Sequence, residues 1–296
     1  MGDAVGVPYE FQRRQDLPEA TAIEMIPPSG FQRSHLRVPP GMWSDDGALT
    51  LALLHSLAED PHLDLAKTAS FMLEWLRGGK YTPDGVVFDC GITVRMGLSL
   101  FERGTQADLS GLAGVGDNGN GALMRSIACM LVPFEDEAAL VSRAMRQGLC
   151  THRHLRSQVT CALFALTCWR MAQEVSDISG AVDWALLRLE AMLGGDALAE
   201  LRVVSSDRKK AAMGSGYVVD SFWSAVFAVS TTSSYKACVQ AAVALGNDTD
   251  TTACVAGGMA GLMYGEAGID EAWIAGLWGR DHALHLLEHG SWVGRT

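Results

Sequence analysis

Proline is scarce beyond the first part of this chain. Eight of the nine prolines lie at or before Pro83, and the ninth is Pro133. Proline inside a helix removes a backbone hydrogen bond and clashes with the preceding turn. The long stretch after Pro133 is therefore free to form uninterrupted helices.

The chain also lacks paired cysteines, an excess of positive charge and a long hydrophobic run. Its seven cysteines are odd in number and none has Cys-x-x-Cys spacing, which indicates buried apolar thiols rather than a disulfide framework or a zinc site. The net charge of -11 disfavours binding of nucleic acid through its phosphates. The longest apolar run, 253–264, is too short to span a bilayer, and no signal peptide is visible. We expect a cytoplasmic protein without nucleic-acid or membrane partners.

Helical periodicity is what the chain does contain. It recurs over 138–149, 155–171, 182–193, 217–229, 235–245 and 281–288. Glycines at 78–79, 114–121, 194–195 and 214–216 separate helical segments. No linker divides the chain, so we predict a single all-α domain over 1–296, with a loop-rich stretch at 8–42.

Two helix starts carry clusters of acids and hydroxyls. The first is Ser44, Asp45 and Asp46, followed by a helical pattern over 48–58. Ser44 is a natural N-cap, and acids in a first turn are stabilised by the positive end of the helix dipole. Capping alone is a sufficient explanation for this first cluster.

The second cluster lies at 246–252 and precedes an apolar helix at 253–264. Capping requires one or two polar groups, whereas this cluster has six in succession. The helix is apolar on every face, and Gly257, Gly258 and Gly261 permit close packing, so we expect it to be central and buried. Carboxylates at a buried helix end are costly unless something positive compensates them.

Divalent cations are the simplest compensation, since little lysine or arginine lies nearby in the sequence. Carboxylate and hydroxyl oxygens are hard ligands that suit Mg²⁺, Mn²⁺ or Ca²⁺ rather than Zn²⁺. Asp45, Asp46, Asp248 and Asp250 carry four negative charges, which two such ions would balance. Two metals about 4 Å apart are a common hydrolytic arrangement. The residues alone leave capping and a two-metal centre as open alternatives.

The chain also resembles the ADP-ribosylglycohydrolases, including the dinitrogenase reductase-activating type. The resemblance rests on five segments in the family's order: 2–8 with Glu10 and Phe11; 43–46; 119–122 with Met124 and Arg125; Thr151 and His152; and the pair 214–217 and 246–251. Each segment alone is a weak signal, but all five in order are specific and span nearly the whole chain.

The resemblance implies an orthogonal multi-helix bundle with a binuclear Mg²⁺ or Mn²⁺ centre in a central cleft. It implies that the metal ligands are Ser44, Asp45, Asp46, Asp248, Asp250 and Thr251. Many members have threonine where this chain has Ser44, and either residue supplies a hydroxyl oxygen.

The loop of Gly119, Asn120 and Gly121 is similar to the family's ADP-ribose loop. Glycine lets backbone N–H groups approach an anion, and we expect the segment to open a helix whose positive end attracts phosphate. The alternative is a simple turn. His152 matches the family's Thr-His element near the phosphates or ribose; its alternative is a helix cap or a buried core residue. Tyr217 is either a stacking partner for the adenosine end or part of the core.

Two further acids are candidates for proton transfer. Asp89 resembles a family aspartate beside the metals and is the first choice as general acid or base. Glu10 is the second choice, because the matching acid in some relatives lies over the cleft; its alternative is a plain surface acid. The resemblance implies hydrolysis at ribose C1″ through an oxocarbenium-like state, with the cations orienting or activating a water.

Three functions remain open on this basis. The first is a hydrolase that releases ADP-ribose from a modified protein, with arginine-linked ADP-ribose as the expected substrate. Its role would be to reverse a regulatory modification or to give immunity to an ADP-ribosylating toxin. The second is a non-catalytic ADP-ribose binder or transferase-blocking pseudo-enzyme, which the intact ligand set disfavours. The third is a hydrolase of a small ADP-ribose derivative.

One feature departs from the family pattern. Relatives usually carry an apolar helix before the Gly-Asp-Ala motif, whereas Met1 directly precedes Gly2 in this sequence. A missing helix would expose core surface, so the resemblance implies lower stability or self-association for this form.

Overall fold

The computed structural model describes residues 1–173 and 177–289, which form helices joined by loops. This part of the chain contains no β-strand. Its strand-like pairings are three isolated bridges, which join Arg13 to Gly246, Leu112 to His152 and Gly119 to Tyr217. The predicted all-α fold class is therefore confirmed.

Fifteen α-helices occur in the described residues. In chain order they are α1 (Gly2–Gly6), α2 (Asp45–Glu59), α3 (Leu65–Gly78), α4 (Ile92–Glu102), α5 (Ala107–Ser110), α6 (Ala128–Leu131), α7 (Glu137–Arg146), α8 (Leu155–Ala172), α9 (Ile178–Met192), α10 (Gly195–Ser206), α11 (Val218–Ser230), α12 (Tyr235–Val243), α13 (Thr249–Tyr264), α14 (Glu271–Gly276) and α15 (Arg280–His289). Each helical pattern found in the sequence corresponds to one of them. The predicted joint at 78–79 lies at the end of α3, and the joint at 194–195 lies at the N-cap and first residue of α10.

Helix α13 lies at the centre of the molecule and packs against α1, α2, α8, α11 and α12. Most of its residues up to Ala260 are buried, as expected from its apolar sequence, while its last turn is half-exposed. A Cβ on Gly257 would lie 3.0 Å from Tyr235 Oη, and one on Gly258 would lie 2.9 Å from Ile127 Cδ1. The expectation of close packing is wrong for Gly261, because a Cβ there would meet nothing within 4 Å.

The short helix α1 lies directly on the first turns of α13. A Cβ on Gly6 would lie 2.4 Å from the Cα of Asp250, and a Cβ on Gly2 would lie 2.0 Å from the carbonyl oxygen of Ala253. Real side-chain carbons do not approach backbone this closely, so this contact requires glycine. The contact fixes Asp3, which lies between the two glycines, beside the helix starts that carry the acids.

The segment between α1 and α2 is a long loop with three short 3₁₀ turns, Val7–Tyr9, Arg14–Asp16 and Ala20–Ala22. The predicted loop-rich stretch is thus confirmed. The loop is tied to the residues before α13, because Phe11 N donates to Asn247 O and Asn247 N donates to Gln12 O, each at 2.7 Å. This pairing places Glu10 next to the start of α13.

The structure tests two expectations drawn from the sequence, which concern the cysteines and membrane-spanning helices. All seven cysteines are free; five are buried, while Cys90 and Cys254 are half-buried. The prediction that they are small apolar core residues is confirmed for the buried five. No helix within the described ranges combines the length and apolar character that crossing a membrane requires.

We expect Gly6→Ala to destabilise the protein by about 1–3 kcal/mol, because its Cβ would overlap the backbone of α13. Gly261→Ala is the matched control on α13. Its Cβ enters open space, so it should leave the free energy of unfolding unchanged or raise it by up to about 1 kcal/mol. Urea denaturation of both variants measures the difference, and equal stabilities would contradict the described packing of α1 on α13.

Candidate metal centre and substrate cleft

The start of α2 is held by an aspartate from a different helix. Asp3 in α1 accepts hydrogen bonds from Ser44 N, at 3.0 Å to each carboxylate oxygen, and from Gly47 N at 2.8 Å. Ser44 is the N-cap, and its Oγ accepts from Asp46 N at 3.3 Å. Since Asp3 and Ser44 occupy these backbone donors, Asp45 and Asp46 are not required as caps.

The start of α13 lies against the start of α2. Thr251 Oγ1 donates to Asp46 Oδ2 at 3.2 Å, across a sequence separation of 205 residues. Carboxylate oxygens of Asp3, Asp46 and Asp250 lie within 4.8 Å of one another, and so do those of Glu10, Asp248 and Asp250. The structure therefore brings the two acidic helix starts together in one cluster.

Asp46 and Asp250 each keep one buried carboxylate oxygen without a partner. Among the described residues, nothing donates to Oδ1 of Asp46 or Oδ2 of Asp250, and each residue is only 1% exposed. Burial, followed by the charges of nearby carboxylates, raises the pKa of both groups well above the usual range. Their other oxygens accept only from hydroxyl and backbone N–H groups.

A hard divalent cation fits this donor set. It would supply the missing partner of both free oxygens and would compensate carboxylates that burial otherwise keeps protonated. Asp46, Asp250 and the hydroxyl of Thr251 converge closely enough to share such an ion. The metal-ligand roles of these residues, and of Ser44, remain predictions.

Asp45 and Asp248 are the remaining aspartates of the two helix starts. Asp45 Oδ2 accepts from Gly91 N at 3.3 Å, and burial followed by the charge of Asp89 raises its pKa well above the usual range. Asp248 is half-buried, and its Oδ2 accepts from Asn120 Nδ2 at 2.8 Å. It is the N-cap residue of α13 but makes no side-chain capping bond, so capping does not explain it.

Glu10, His35 and Asp89 form a neighbouring cluster, with one ligand atom of each within 4.8 Å of the others. Glu10 is 3% exposed, so its alternative as a plain surface acid is wrong. Its Oε2 lies 2.5 Å from His35 Nε2, and the two share a hydrogen bond. Burial, with the charges of Asp89 and Asp248, raises the pKa of Glu10 to about 10. The two acids predicted to transfer the proton are therefore neighbours beside the carboxylate cluster.

The loop of Gly119, Asn120 and Gly121 lies next to Asp248. Asn120 N donates to Gly216 O at 3.1 Å, and the Asn120 side chain donates to Ser221 Oγ and to Asp248. The expectation that this loop opens a helix is wrong. Residues 121–127 form successive turns, and the next helix, α6, begins only at Ala128 and has four residues. Any anion held here depends on individual N–H groups, not on a helix dipole.

His152 is buried against this loop. A Cβ on Gly119 would lie 3.3 Å from His152 Nε2, and a Cβ on Gly121 would lie 2.9 Å from His152 Cε1. The alternative prediction that His152 caps a helix is wrong, because His154 is the N-cap of α8 and accepts from Arg156 N. Burial, followed by the charge of Arg125, lowers the pKa of His152 to about 3, so the ring is neutral at physiological pH.

Tyr217 precedes α11 and is half-buried. Its hydroxyl accepts from Arg156 Nη1 at 3.2 Å, and its ring lines a cavity of about 370 Å³ together with Met213 and Trp223. This position is compatible with either of its two predicted roles. A larger cavity of about 1130 Å³ lies at the far end of α2, by Phe134, and none of the predicted site residues lines it.

The sequence did not identify two residues at the site, Asp3 and His35, as functional candidates. Asp3 lies in a motif that carried the family resemblance, but no local pattern shows that it caps a helix 41 residues away. His35 lies in the irregular loop before α2 and reaches Glu10 only through tertiary packing. A lone histidine in a loop gives no signal of that contact.

The chain is similar to known proteins over nearly its whole length. A family model described as ADP-ribosylglycohydrolase matches residues 1–293. The chain is 30% identical over 284 residues to an ADP-ribosyl-[dinitrogen reductase] glycohydrolase of Rhodospirillum rubrum, covering 94% of this chain and 86% of that protein. It is 25% identical over 288 residues to the ADP-ribosylarginine hydrolase Tri1 of Serratia proteamaculans, covering 97% and 75%. A solved ADP-ribosylglycohydrolase-related protein complex shares the fold, with a TM-score of 0.69 at 23% identity over 96% of this chain and 92% of that one.

We expect Mg²⁺ or Mn²⁺ to raise the midpoint of thermal unfolding, because a cation that binds only the folded state stabilises it. The gain is about 2.7 kcal/mol at a concentration one hundred times the dissociation constant. Asp46→Asn should abolish most of this shift. Asp64→Asn, which alters an exposed N-cap on α3, should retain it. Melts in chelator and in excess cation measure both, and an unchanged shift in Asp46→Asn would remove Asp46 from the site.

The raised pKa values also predict how stability depends on pH in chelator. The unfolded pKa of such a carboxyl is about 4, and its folded pKa is higher. Its contribution to stability is complete at pH values below the unfolded pKa and is lost as pH rises through the folded pKa. The metal-free protein should therefore lose stability as pH rises above about 4. The doubly substituted Asp46→Asn, Asp250→Asn protein should lose less. Parallel stability curves for the two proteins would show that these carboxyls are not buried as described.

Proposed function

The chain belongs to the ADP-ribosylglycohydrolase family, and from that premise we propose that it hydrolyses the bond between ADP-ribose and a modified protein side chain. The observation that carries the proposal is the cluster of Asp46 and Asp250, with one free buried oxygen on each, beside the pair Glu10 and Asp89. Such a site combines hard metal ligands with acids placed for proton transfer.

Arginine-linked ADP-ribose is the substrate that we propose. Its support is a relative named as an ADP-ribosylarginine hydrolase and another named for its action on ADP-ribosylated dinitrogen reductase. The product would be free ADP-ribose, and the target side chain would be restored. The reaction would reverse either a regulatory modification or the damage done by an ADP-ribosylating toxin, and in the second case the protein would confer immunity.

The residues proposed to hold two cations are the oxygen donors at the starts of α2 and α13: Ser44, Asp45, Asp46, Asp248, Asp250 and Thr251. When bound, Mg²⁺ or Mn²⁺ would polarise a water and the ribose hydroxyls. Asp3 supports this set by fixing the backbone of Ser44 and Gly47. Asn120 supports it from the other side through its bond to Asp248.

Glu10 and Asp89 are proposed to move the proton. Cleavage at C1″ releases the target nitrogen with an electron pair, which must accept a proton, while the attacking water must lose one. The ligand oxygens of Glu10 and Asp89 lie within 4.8 Å of each other, so the two carboxyls face the same region of the cleft. Cys90 N donates to Asp89 Oδ1 at 2.8 Å and fixes that carboxylate. His35 fixes Glu10 in the same way.

The test of this function is release of labelled ADP-ribose from an arginine-modified protein, with and without Mg²⁺ or Mn²⁺. We expect release only when the metal is present. Binding of ADP-ribose without release would indicate the non-catalytic binder instead. Activity confined to small ADP-ribose derivatives would indicate the third function. A serine-linked substrate run in parallel tests the preference for arginine.

Single substitutions separate the metal ligands from the proton-transfer groups. Asp45→Ala and Asp248→Ala should each abolish turnover together with metal binding. Asp89→Asn should lower kcat by roughly 10²- to 10⁴-fold while metal and ADP-ribose still bind, because only the proton-transfer group is lost. Glu10→Gln is the companion variant, and Asp64→Asn is the control. Loss of metal binding in Asp89→Asn would make Asp89 a support for the ligands rather than a catalytic residue.

A further inference from the structure

Arg125 is a fully buried cation that has no carboxylate partner among the described residues. Its side chain is 0% exposed, and its N–H groups donate only to neutral acceptors. Nε donates to Gln147 Oε1 at 2.8 Å and Nη1 donates to Gly121 O at 2.7 Å. Nη2 donates to Thr151 Oγ1 at 2.8 Å and to Gln147 O. A buried charge with this many directed bonds fixes the groups around it.

The hydrogen bond from Arg125 to Thr151 determines which way the Thr151 hydroxyl can donate. Arginine has no acceptor, so Thr151 Oγ1 accepts from it and keeps its own hydrogen to donate. Two acceptors lie within reach: His152 Nδ1 at 3.0 Å and Gly148 O at 3.4 Å. Gly148 O already accepts from the backbone N–H of Thr151 at 2.9 Å and of His152 at 2.7 Å. The shorter distance and the two N–H groups already bound to Gly148 O favour donation of the hydroxyl hydrogen to Nδ1 of His152.

A neutral histidine that accepts at Nδ1 carries its proton on Nε2. Burial beside Arg125 disfavours a second proton on the ring. The Nε2–H group is the part of the ring nearest Gly119, and no described residue accepts a hydrogen bond from it. His152 thus presents an uncharged donor to the Gly119–Gly121 loop, and its partner must be an acceptor.

The same arginine also orients the loop backbone. In a trans peptide the C=O and N–H groups point in opposite directions. Gly121 O is bound by Arg125, and Asn120 O accepts from the backbone N–H of Leu123 and Met124. The N–H groups of Gly121 and Ala122 belong to these two peptides and so point the opposite way. No described residue accepts from either of them.

We propose that Arg125 is a positioning residue for the diphosphate of ADP-ribose. Through Thr151 it sets the tautomer of His152, and through Gly121 O it turns the loop N–H groups toward the same ligand. The three donors, Nε2–H of His152 and the N–H groups of Gly121 and Ala122, bind phosphate oxygens without a basic side chain in contact with them. This inference rests on the proposed function, since ADP-ribose is the ligand, but the tautomer is a property of the free protein.

The first test is the tautomer of His152, read from its side-chain ¹⁵N resonances in the full-length protein at neutral pH. His152→Gln identifies the signal. We expect the proton on Nε2 in the wild type and in Thr151→Ser, which keeps the hydroxyl, and a shift toward the Nδ1–H form in Thr151→Val. A wild-type ring protonated on Nδ1 would overturn the proposal, whether or not the protein is an active hydrolase.

The second test is the dissociation constant for ADP-ribose in the presence of Mg²⁺. Thr151→Val should weaken binding by roughly ten- to a hundredfold, since it misdirects one hydrogen bond to a charged group, and Thr151→Ser should restore it. Thr167→Val is the control, because Thr167 is also buried but bonds only to Leu163 O. Equal affinity of wild type and Thr151→Val would overturn the positioning role.

Failure of the proposed function gives a different pattern. If the wild type binds ADP-ribose with the expected sensitivity to Thr151→Val but releases none from modified proteins, the catalytic proposal fails and the positioning role stands. If the wild type does not bind ADP-ribose at all, both fail. If Thr151→Val melts far below Thr167→Val, His152→Phe, which removes the donor, replaces it in the affinity measurement, and an affinity equal to wild type would again overturn the proposal.

Discussion

This site depends on one constraint. Its negative charges are buried without a cationic side chain to balance them. Asp46 and Asp250 lie at the starts of two packed helices, and each has a buried oxygen that accepts no hydrogen bond from the described residues. Transfer of an ionised carboxylate out of water is among the most costly steps in folding unless the charge is compensated. The fold tolerates these groups either protonated or with cations bound. The proposed chemistry requires the second state, which links catalytic competence to metal occupancy.

The surrounding structure removes other ways to satisfy these carboxylates. Asp3 and Ser44 take the backbone donors at the start of α2, so Asp46 is not satisfied by capping. At the start of α13, the packing of α1 through Gly6 onto the backbone of Asp250 fixes the position of that residue. Both arrangements hold the acids in place and leave their free oxygens for a ligand from outside the chain.

Much of the fold and part of the site could be predicted from the sequence, because both depend on local patterns. Helical periodicity located α2 and α13 to within four residues, and acids that exceed the needs of capping marked the helix starts. The remaining features are tertiary. Asp3 caps a helix from a distant segment, and His35 meets Glu10 through an irregular loop. The turns at 121–127 replace a helix because Arg125 and Gln147 bind the loop carbonyls, which no periodicity reveals.

The carboxylate cluster and the Gly119–Gly121 loop meet opposite electrostatic requirements of the proposed reaction. The carboxylate cluster, when ionised, would repel a diphosphate unless cations neutralise it. On the loop side, the buried Arg125 is bound to neutral acceptors, and the proposed donors to the ligand are neutral. A lysine or arginine at the cleft surface could pair with the carboxylates of Asp45 or Asp248 and compete with the metals. Neutral donors cannot form such an ion pair, so the fold can place a diphosphate site next to an acidic metal site without one blocking the other.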